Sequence, residues 1–393
     1  MSDPRLTTLP VAVVGFGWMG RVHTQAYSRV RHHYPALRPL PVLATVADEV
    51  PGRAAEAAEQ FGFGSSTESW RDVVADPSIG AVSVTSPNFL HREMGVAVAE
   101  AGKHLWIEKP VGLSADDARA VAIAAEKAGV QTAVGFNYRN APAVEQARGI
   151  IASGELGDVT HARFRFFSDY AAHPDGALSW RFERERGGSG VLGDLASHGA
   201  DLIWYLLGEI ASLVADTAVF IPQRAKPTGV TSGHMRASGG EQGPVENEDF
   251  VSAQLRMATG ARCVLEASRV AVGDQNSYGF EIHGTKGSVS WDFRRMGELQ
   301  LGLRAAGEDQ PLYQDQPQST LFVGPGAGEY GVFQPGSASA MGYDDLKVVE
   351  AARFLQSIAE NASVGATVRD AVRSASVLDA MTESVESGRW VTL

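Results

Sequence analysis

Apolar residues follow two different rhythms along this chain of 393 residues. In the first third they come as short unbroken runs: Val11-Ala12-Val13-Val14, Val42 to Ala47, Ala81 to Thr85, His104 to Ile107 and Thr132 to Phe136. Strands covered on both faces of a parallel sheet read this way. Between the runs lie segments with helical spacing, at Arg21 to Tyr27, Gly52 to Phe61, Arg92 to Ala101 and Ala115 to Ala128. Strands alternating with helices predict a doubly wound parallel sheet.

From Gly157 the rhythm changes to alternation. Val159 to Phe166, Phe250 to Met257 and Ala261 to Ala267 alternate between apolar and polar along most of their length, as half-exposed antiparallel strands do. Thr259-Gly260 joins two of these strands as a hairpin, and a further hairpin runs from Tyr278 to Phe293 around Gly284-Thr285-Lys286-Gly287. A glycine-rich loop at Gly187 to Gly190 opens an apolar helix that ends at Gly208, inserted between the strands and expected to cover one face of their sheet. Two helices, Tyr343 to Glu360 and Thr367 to Ser387, precede a tail at Arg389 to Leu393.

The predicted fold is therefore α/β, with an N-terminal Rossmann-type doubly wound parallel sheet over residues 1–137. An α+β domain with an open, mostly antiparallel sheet follows over 138–393, its C-terminal helices free to pack back on the first domain. Two irregular segments, Pro222 to Asn247 and Ala306 to Gly342, have the length of lids, binding loops or subunit arms. Leu321-Phe322-Val323, Tyr330 and Phe333 are expected to anchor the second of them.

Charge narrows the partners. A net charge of -12 argues against nucleic acid and anionic membrane. One cysteine, Cys263, excludes an internal disulfide and suits a reducing compartment. The run Val11 to Val14 is too short for a signal peptide or a membrane span, so a cytoplasmic protein is expected.

Candidate chemistry begins at Gly15-Phe16-Gly17-Trp18-Met19-Gly20. This GxGxxG leaves a buried strand and opens a helix, the context in which glycines let a backbone approach a pyrophosphate facing the helix N-terminus. Asp48 ends the second strand, where an acidic side chain bonds ribose hydroxyls and repels a 2'-phosphate, so NAD is favoured over NADP, with Arg53 close by. Ser86-Pro87-Asn88 with His91, Glu108-Lys109-Pro110 and Asn137 sit at later strand ends, where ligands bind in such sheets. His32 and His33 lie in a surface connection without partners at metal-ligand spacing.

Two features leave more than one reading. Lys109 is either solvated or aimed into the cleft by a turn at Pro110, through a cis bond in one version. Asp194 and His198 are four residues apart, hence one turn apart on one helical face among Leu195, Leu202, Ile203 and Leu206. They are either a capping Asp with a hydrogen-bonded core His, or a site.

These motifs, in this order and over nearly the whole chain, resemble the Gfo/Idh/MocA oxidoreductases. The resemblance is carried by Gly15 to Gly20, Ser86-Pro87-Asn88 with His91, Glu108-Lys109-Pro110, Phe136-Asn137-Tyr138-Arg139, Trp180-Arg181-Phe182, and Gly193-Asp194 through His198-Gly199. Within that family the long Gly15-to-Asp48 spacing, Leu178 to Phe182 and Phe280 to Thr285 are similar to the levoglucosan dehydrogenase branch. The run Phe166-Phe167-Ser168-Asp169-Tyr170 departs from it, which bears on the sugar. The resemblance implies a catalytic trio at Lys109, Asp194 and His198. It also implies oxidation by NAD+ of a secondary hydroxyl on a sugar, anhydrosugar or cyclitol, no metal, and a homodimer or homotetramer formed through the open sheet. Tyr138, Asp169, Trp180, Arg181 and Tyr343 join Lys109, Asp194 and His198 as expected substrate contacts, although Trp180 reads equally as core and Arg181 as a partner for Glu108 or a phosphate. Rival readings are an enzyme of the same family that recycles bound NAD to cleave glycosides, and a non-catalytic cofactor-binding regulator.

Overall fold

The computed structural model describes residues 7–227, 237, 240–303 and 317–393. Its first unit comprises the described part of the chain up to Asn137 together with Glu185–Gly187 and Gly342–Ala375. Six strands, β1 (Thr8–Val14), β2 (Leu40–Ala47), β3 (Ser65–Thr67), β4 (Ala81–Val84), β5 (His104–Ile107) and β6 (Thr132–Val134), form one sheet in the order β3-β2-β1-β4-β5-β6. Every pairing in it is parallel. The helices α1 (Trp18–His33), α2 (Arg53–Phe61), α3 (Trp70–Ala75), α4 (His91–Glu100) and α5 (Ala115–Ala128) connect the strands. β3 is short and exposed at the sheet edge, with no apolar pattern to announce it.

Local chemistry sets the helix ends. Ser114 caps α5 by accepting from the Asp117 backbone N–H at 3.3 Å, Asp116 and Asp117 occupy its first turn, and Gly129 closes it at φ +68°. α1 is built the other way round: its first turn holds no acid and its last holds Arg31, His32 and His33. The positive end of its dipole is left for an anion.

That end lies where the strand order reverses, between β1 and β4, the position at which ligands bind in open α/β sheets. Gly15 has φ +85°, and a Cβ there would come within 2.8 Å of the Ser86 backbone nitrogen. A Cβ on Gly20 would strike the Gly15 carbonyl. The glycines are thus required by backbone packed against backbone.

The second unit comprises the described residues of Tyr138–Arg184, Gly188–Met341 and Ser376–Leu393. It opens with α6 (Pro142–Ala152) and β7 (Val159–Phe167); in chain order α7 (Arg184–Gly187), most of which belongs to the first unit, and α8 (Ser197–Leu207) follow. Then come β8 (Ile210–Ala218), β9 (Gln223–Ala225), β10 (Gln242–Pro244), β11 (Phe250–Met257), β12 (Arg262–Ser268), β13 (Ser277–Gly284), β14 (Gly287–Asp292), β15 (Glu298–Leu303) and β16 (Ser319–Phe322). After the short α9 (Tyr330–Phe333) the chain ends in α10 (Tyr343–Glu360), α11 (Val368–Ser387) and β17 (Val391–Thr392).

Nine of these strands make one sheet, ordered β16-β15-β14-β13-β7-β12-β11-β8-β17, in which only β7 and β12 pair in parallel. Ala162, Phe164 and Phe166 from β7, with Val251, Ala253 and Leu255 from β11, turn to the covered face. α8 lies on that face: Gly199 meets the Leu265 side chain, and Tyr278 donates its hydroxyl to the His198 carbonyl at 2.9 Å. The opposite face carries ion pairs such as Arg163 with Glu266 at 2.6 Å and Arg165 with Glu281 at 3.0 Å.

Some expectations change here. β8, in Ile210 to Ala218, escapes the alternation pattern because several of its residues are half-buried on both faces. The tail contains a strand, β17, which pairs with β8. Of the segment 222–247, β9 and β10 pair antiparallel, while 228–236, 238 and 239 lie outside the described residues, as do 306–316 of the other segment. In that second segment Val323 and Tyr330 are buried anchors, whereas Phe322 is 48% exposed because it falls at the sheet's edge strand.

The Gly15 geometry yields a test. Gly15→Ala adds a Cβ at positive φ against the Ser86 backbone, so unfolding by denaturant should reveal a loss of about 1–3 kcal/mol. An unchanged midpoint would show that this backbone contact is not tight.

Candidate active site

In the first unit the expected cofactor residues line the C-terminal ends of the strands. Phe16 is buried, and its backbone N–H donates to Asp48 Oδ2 at 2.6 Å, tying the glycine loop to the end of β2. Asp48 Oδ1 accepts from the Val50 N–H at 2.9 Å and from Arg53 at 3.3 Å. Ser86, Pro87 and Asn88 follow β4, the Ser86 hydroxyl resting on Met94 at 3.2 Å. Trp18 is 66% exposed beside Met19, and Tyr343 stacks on it with ring centroids 5.3 Å apart. Tyr343, expected as a substrate contact, is therefore brought to the glycine loop by the start of α10.

Asn137, just past β6, is fully buried, yet neither its Oδ1 nor its Nδ2 has a hydrogen-bond partner among the described residues. Leaving both ends of a buried amide unmade costs free energy unless a ligand satisfies them. With Gly15 and Gly20 too crowded for a Cβ and Asp48 placed for ribose, the residues fit a nicotinamide dinucleotide.

Glu108 and His91 turn away from the ligand edge. The Glu108 carboxylate points inward: Oε1 meets His23 Nε2 at 3.0 Å and Lys347 Nζ at 2.5 Å, and Oε2 accepts from the Lys109 backbone N–H at 3.3 Å. Gly135 leaves room for it, since a Cβ there would collide with the carboxylate. His91 bonds the carbonyls of Pro110 and Ser86, so both its ring nitrogens are engaged. The Lys109–Pro110 peptide is cis, and Lys109 itself is half-buried.

The network extends to Glu350, which receives Lys347 at 2.9 Å and the Trp106 indole N–H at 2.7 Å. His23 stacks on Trp106 with centroids 3.6 Å apart. His23, Glu108 and Glu350 are also a group that could hold a metal, but the Lys347 ammonium already lies between the two carboxylates. Burial pushes the His23 pKa down to about 4. Glu108 is held ionised by Lys347 and His23 although burial opposes it, while burial drives the Glu350 pKa up to about 7. One lysine thus serves one carboxylate fully and the other only in part.

In the second unit Asp194 lies in a π-helical turn, Leu192–Ala196, that leads into α8. Such turns are frequent at functional sites. Tyr170 donates its hydroxyl to Asp194 Oδ2 at 2.5 Å; burial and then the Asp194 charge hold this phenol well above its usual pKa, so it stays a donor. His198 is 7% exposed, with Tyr138 edge-on at 4.8 Å between centroids and Phe166 at 5.9 Å. Tyr138, Asp194 and His198 are therefore gathered in one place with Tyr170. Asp169 is not: its carboxylate accepts from Gln275 at the surface. Trp180 is half-buried with the Arg181 guanidinium 4.4 Å from its ring, and Asn247 donates to the Arg181 carbonyl at 2.8 Å, fixing this loop.

Tyr170 is the functional residue missed from sequence. A signal existed, because the inward parity of Phe164, Phe166 and Ser168 continues to residue 170. His23, Lys347 and Glu350 were also missed.

A glycine cradle at the switch point of a 3-2-1-4-5-6 sheet, with an acid and a histidine on a helix of a second unit, defines a dinucleotide-dependent enzyme. The chain belongs to the Gfo/Idh/MocA oxidoreductases: residues 9–136 match the oxidoreductase family, NAD-binding Rossmann fold, and residues 144–290 match the GFO/IDH/MocA C-terminal domain. It is 37% identical over 98% of both chains to the levoglucosan dehydrogenase of Pseudarthrobacter phenanthrenivorans. It is also 30% identical to the scyllo-inositol 2-dehydrogenase (NAD(+)) of Bacillus subtilis, over 71% of this chain and 72% of the relative. A solved levoglucosan dehydrogenase in complex with NADH and levoglucosan superimposes with a TM-score of 0.90, at 36% identity, covering 98% of this chain and 99% of that one. Among the described residues no helix is long and apolar enough to cross a membrane.

The Glu350 carboxyl supplies a pH test. Its pKa is about 7 when folded but ordinary when unfolded, so the native state holds the extra proton and this carboxyl's contribution to stability falls as pH rises from about 4.5 to 7, against an opposing rise from His23, whose pKa drops from 6.5 to about 4. Glu350→Gln should flatten that fall, worth roughly 3 kcal/mol at most, in denaturant titrations across this window. A parallel slope in both proteins would refute the assignment.

Proposed function

We propose that this protein is an NAD-dependent dehydrogenase that oxidises a secondary hydroxyl of a sugar, anhydrosugar or cyclitol to a ketone. The observation that carries the reading is the second unit's cluster: Asp194 fixed by Tyr170, with His198 one turn further on and walled by Tyr138 and Phe166. The levoglucosan dehydrogenase relative makes an anhydropyranose the first substrate class to try.

NAD+, when bound, supplies the acceptor for the hydride leaving the carbinol carbon. Gly15 to Gly20 hold its pyrophosphate, Asp48 its ribose, and Asn137 its carboxamide, with Ser86, Pro87 and Asn88 beside it. His198 takes the hydroxyl proton as general base, a task suited to an imidazole near working pH. Lys109, by the family resemblance, is the donor for an oxygen on which negative charge develops. Asp194, held by Tyr170 at Oδ2, accepts from a neighbouring hydroxyl. Tyr138, Trp180, Arg181 and Tyr343 contribute to substrate binding.

Asp48, engaged by Phe16 and Arg53, favours NAD over NADP. The open face of the nine-stranded sheet is the surface through which a homodimer or homotetramer forms. The buried Cys263 suits the cytoplasm.

The deciding experiment is NADH or NADPH formation by the purified protein with levoglucosan, myo-inositol, glucose and related hexosides. NADH from at least one of them is expected, with His198→Ala and Lys109→Met lowering turnover by two or more orders of magnitude while NAD+ binding persists. Normal turnover in the His198 variant would end its role, and binding of NAD+ without net NADH from any substrate would favour internal recycling of the cofactor. Sedimentation analysis checks assembly: a monomer at micromolar concentration would reject the sheet-mediated oligomer.

A further inference from the structure

His91 begins α4 directly after the Ser86–Leu90 loop and is 1% exposed. Its ring spans two strand ends. Nδ1 lies 2.7 Å from the Pro110 carbonyl oxygen, and Nε2 lies 2.7 Å from the Ser86 carbonyl oxygen. A peptide carbonyl only accepts, so each contact requires an N–H on the ring. A neutral imidazole has one N–H, whichever tautomer it adopts. Its other nitrogen would then aim a lone pair at an oxygen lone pair in a buried site. Turning the ring over exchanges the nitrogens for carbons and forfeits both bonds. Only the imidazolium, a donor at both positions, matches the two acceptors.

The surroundings act in both directions. Burial pulls the His91 pKa below its usual value and the Lys109 ammonium adds to that, whereas the two carbonyls and the Glu108 carboxylate favour the cation. Glu108 is itself kept ionised by Lys347, so a lasting negative charge stands near His91. What stands against burial is the geometry: the Pro110 carbonyl also accepts from the Gly112 N–H at 3.0 Å, but a neutral ring would still set one nitrogen lone pair against a carbonyl oxygen only 2.7 Å away.

We propose that His91 is a buried imidazolium that clamps the Ser86–Asn88 loop to the Lys109–Pro110 loop, donating to one carbonyl of each, and that it is thereby a positioning residue for Lys109. The role assigned to Lys109 rests on the dehydrogenase reading; the charge state of His91 does not. The cation serves the Ser86 carbonyl and adds a second donor to the Pro110 carbonyl, which also accepts from the Gly112 N–H. It also sets the spacing between the loop proposed to line the nicotinamide and the lysine proposed to hold the reacting oxygen.

Neutron diffraction from deuterated crystals of the NAD-bound enzyme near pH 7 reads the ring directly. Nuclear density for a deuteron on both Nδ1 and Nε2 of His91 is expected, and a single deuteron would overturn the proposal whatever the activity. The positioning role is tested with His91→Gln, which retains one donor. Turnover should fall between about tenfold and a hundredfold while NAD+ affinity stays within about twofold. Wild-type turnover in that variant would remove the positioning role. If the variant does not fold, a second neutron data set at higher pH and single-turnover hydride transfer at both pH values replace it: transfer should slow where one deuteron has left, and an unchanged rate there would count against the clamp.

Discussion

A buried ion pair organises the first unit. Glu108 is the residue after β5, and its carboxylate goes into the interior rather than out to the ligand edge, where Lys347 from α10 meets it at 2.5 Å. Neither charge would survive there alone; each would neutralise, because an isolated buried ion loses several kcal/mol of hydration. The pair therefore makes the C-terminal helix a working part of the nucleotide-binding unit, far along the chain from the sheet that it completes. It also decides which way the strand end faces. With Glu108 drawn inward, Lys109 is the next side chain along the edge, and the two bear on one another through the Lys109 N–H and the Glu108 carboxylate.

The second unit handles polarity differently. Its helix is largely apolar; buried Asp201 pairs with Arg139, and the Asp194 and His198 positions are each supported by a tyrosine from or beside the sheet. Tyr170, just past β7, bonds the Asp194 side chain, and Tyr278 on β13 bonds the His198 backbone. The π-helical turn at Leu192–Ala196 shifts Asp194 relative to an ideal helix, and the aromatic rings around His198 keep water away from one side of it. Tyrosines on and immediately after strands hold the acid and the histidine backbone more rigidly than a long loop would.

Much of this was legible along the chain. Buried runs separated by helical spacing are the direct imprint of a parallel sheet covered on both sides, and the glycines at 15, 17 and 20 mark a turn that admits no Cβ at two of the three positions. Alternation identified β7, β11 and β12 because one face of their sheet is polar. It failed for β8, whose two faces are both half-buried, and for β17, which is too short to show a period. Among site residues, Asp194 and His198 stood out as polar groups at helical spacing in an apolar run. Asp169, an expected substrate contact, faces Gln275 at the surface, whereas the inward parity that runs through Phe164, Phe166 and Ser168 leads to Tyr170.

The sequence by itself determined the periodicities, the turns that demand glycine, and the order of the motifs, because each depends on neighbours a few residues away. Only the tertiary structure decided what the polar side chains do. Lys347 reads as an ordinary helix lysine until α10 sets it against Glu108 and Glu350, and His91 reads as a ligand of the cleft until both of its nitrogens are found on carbonyls. The physical reason is range. A backbone turn is resolved locally, whereas the protonation and partner of a buried charge depend on groups that folding brings together from more than two hundred positions away.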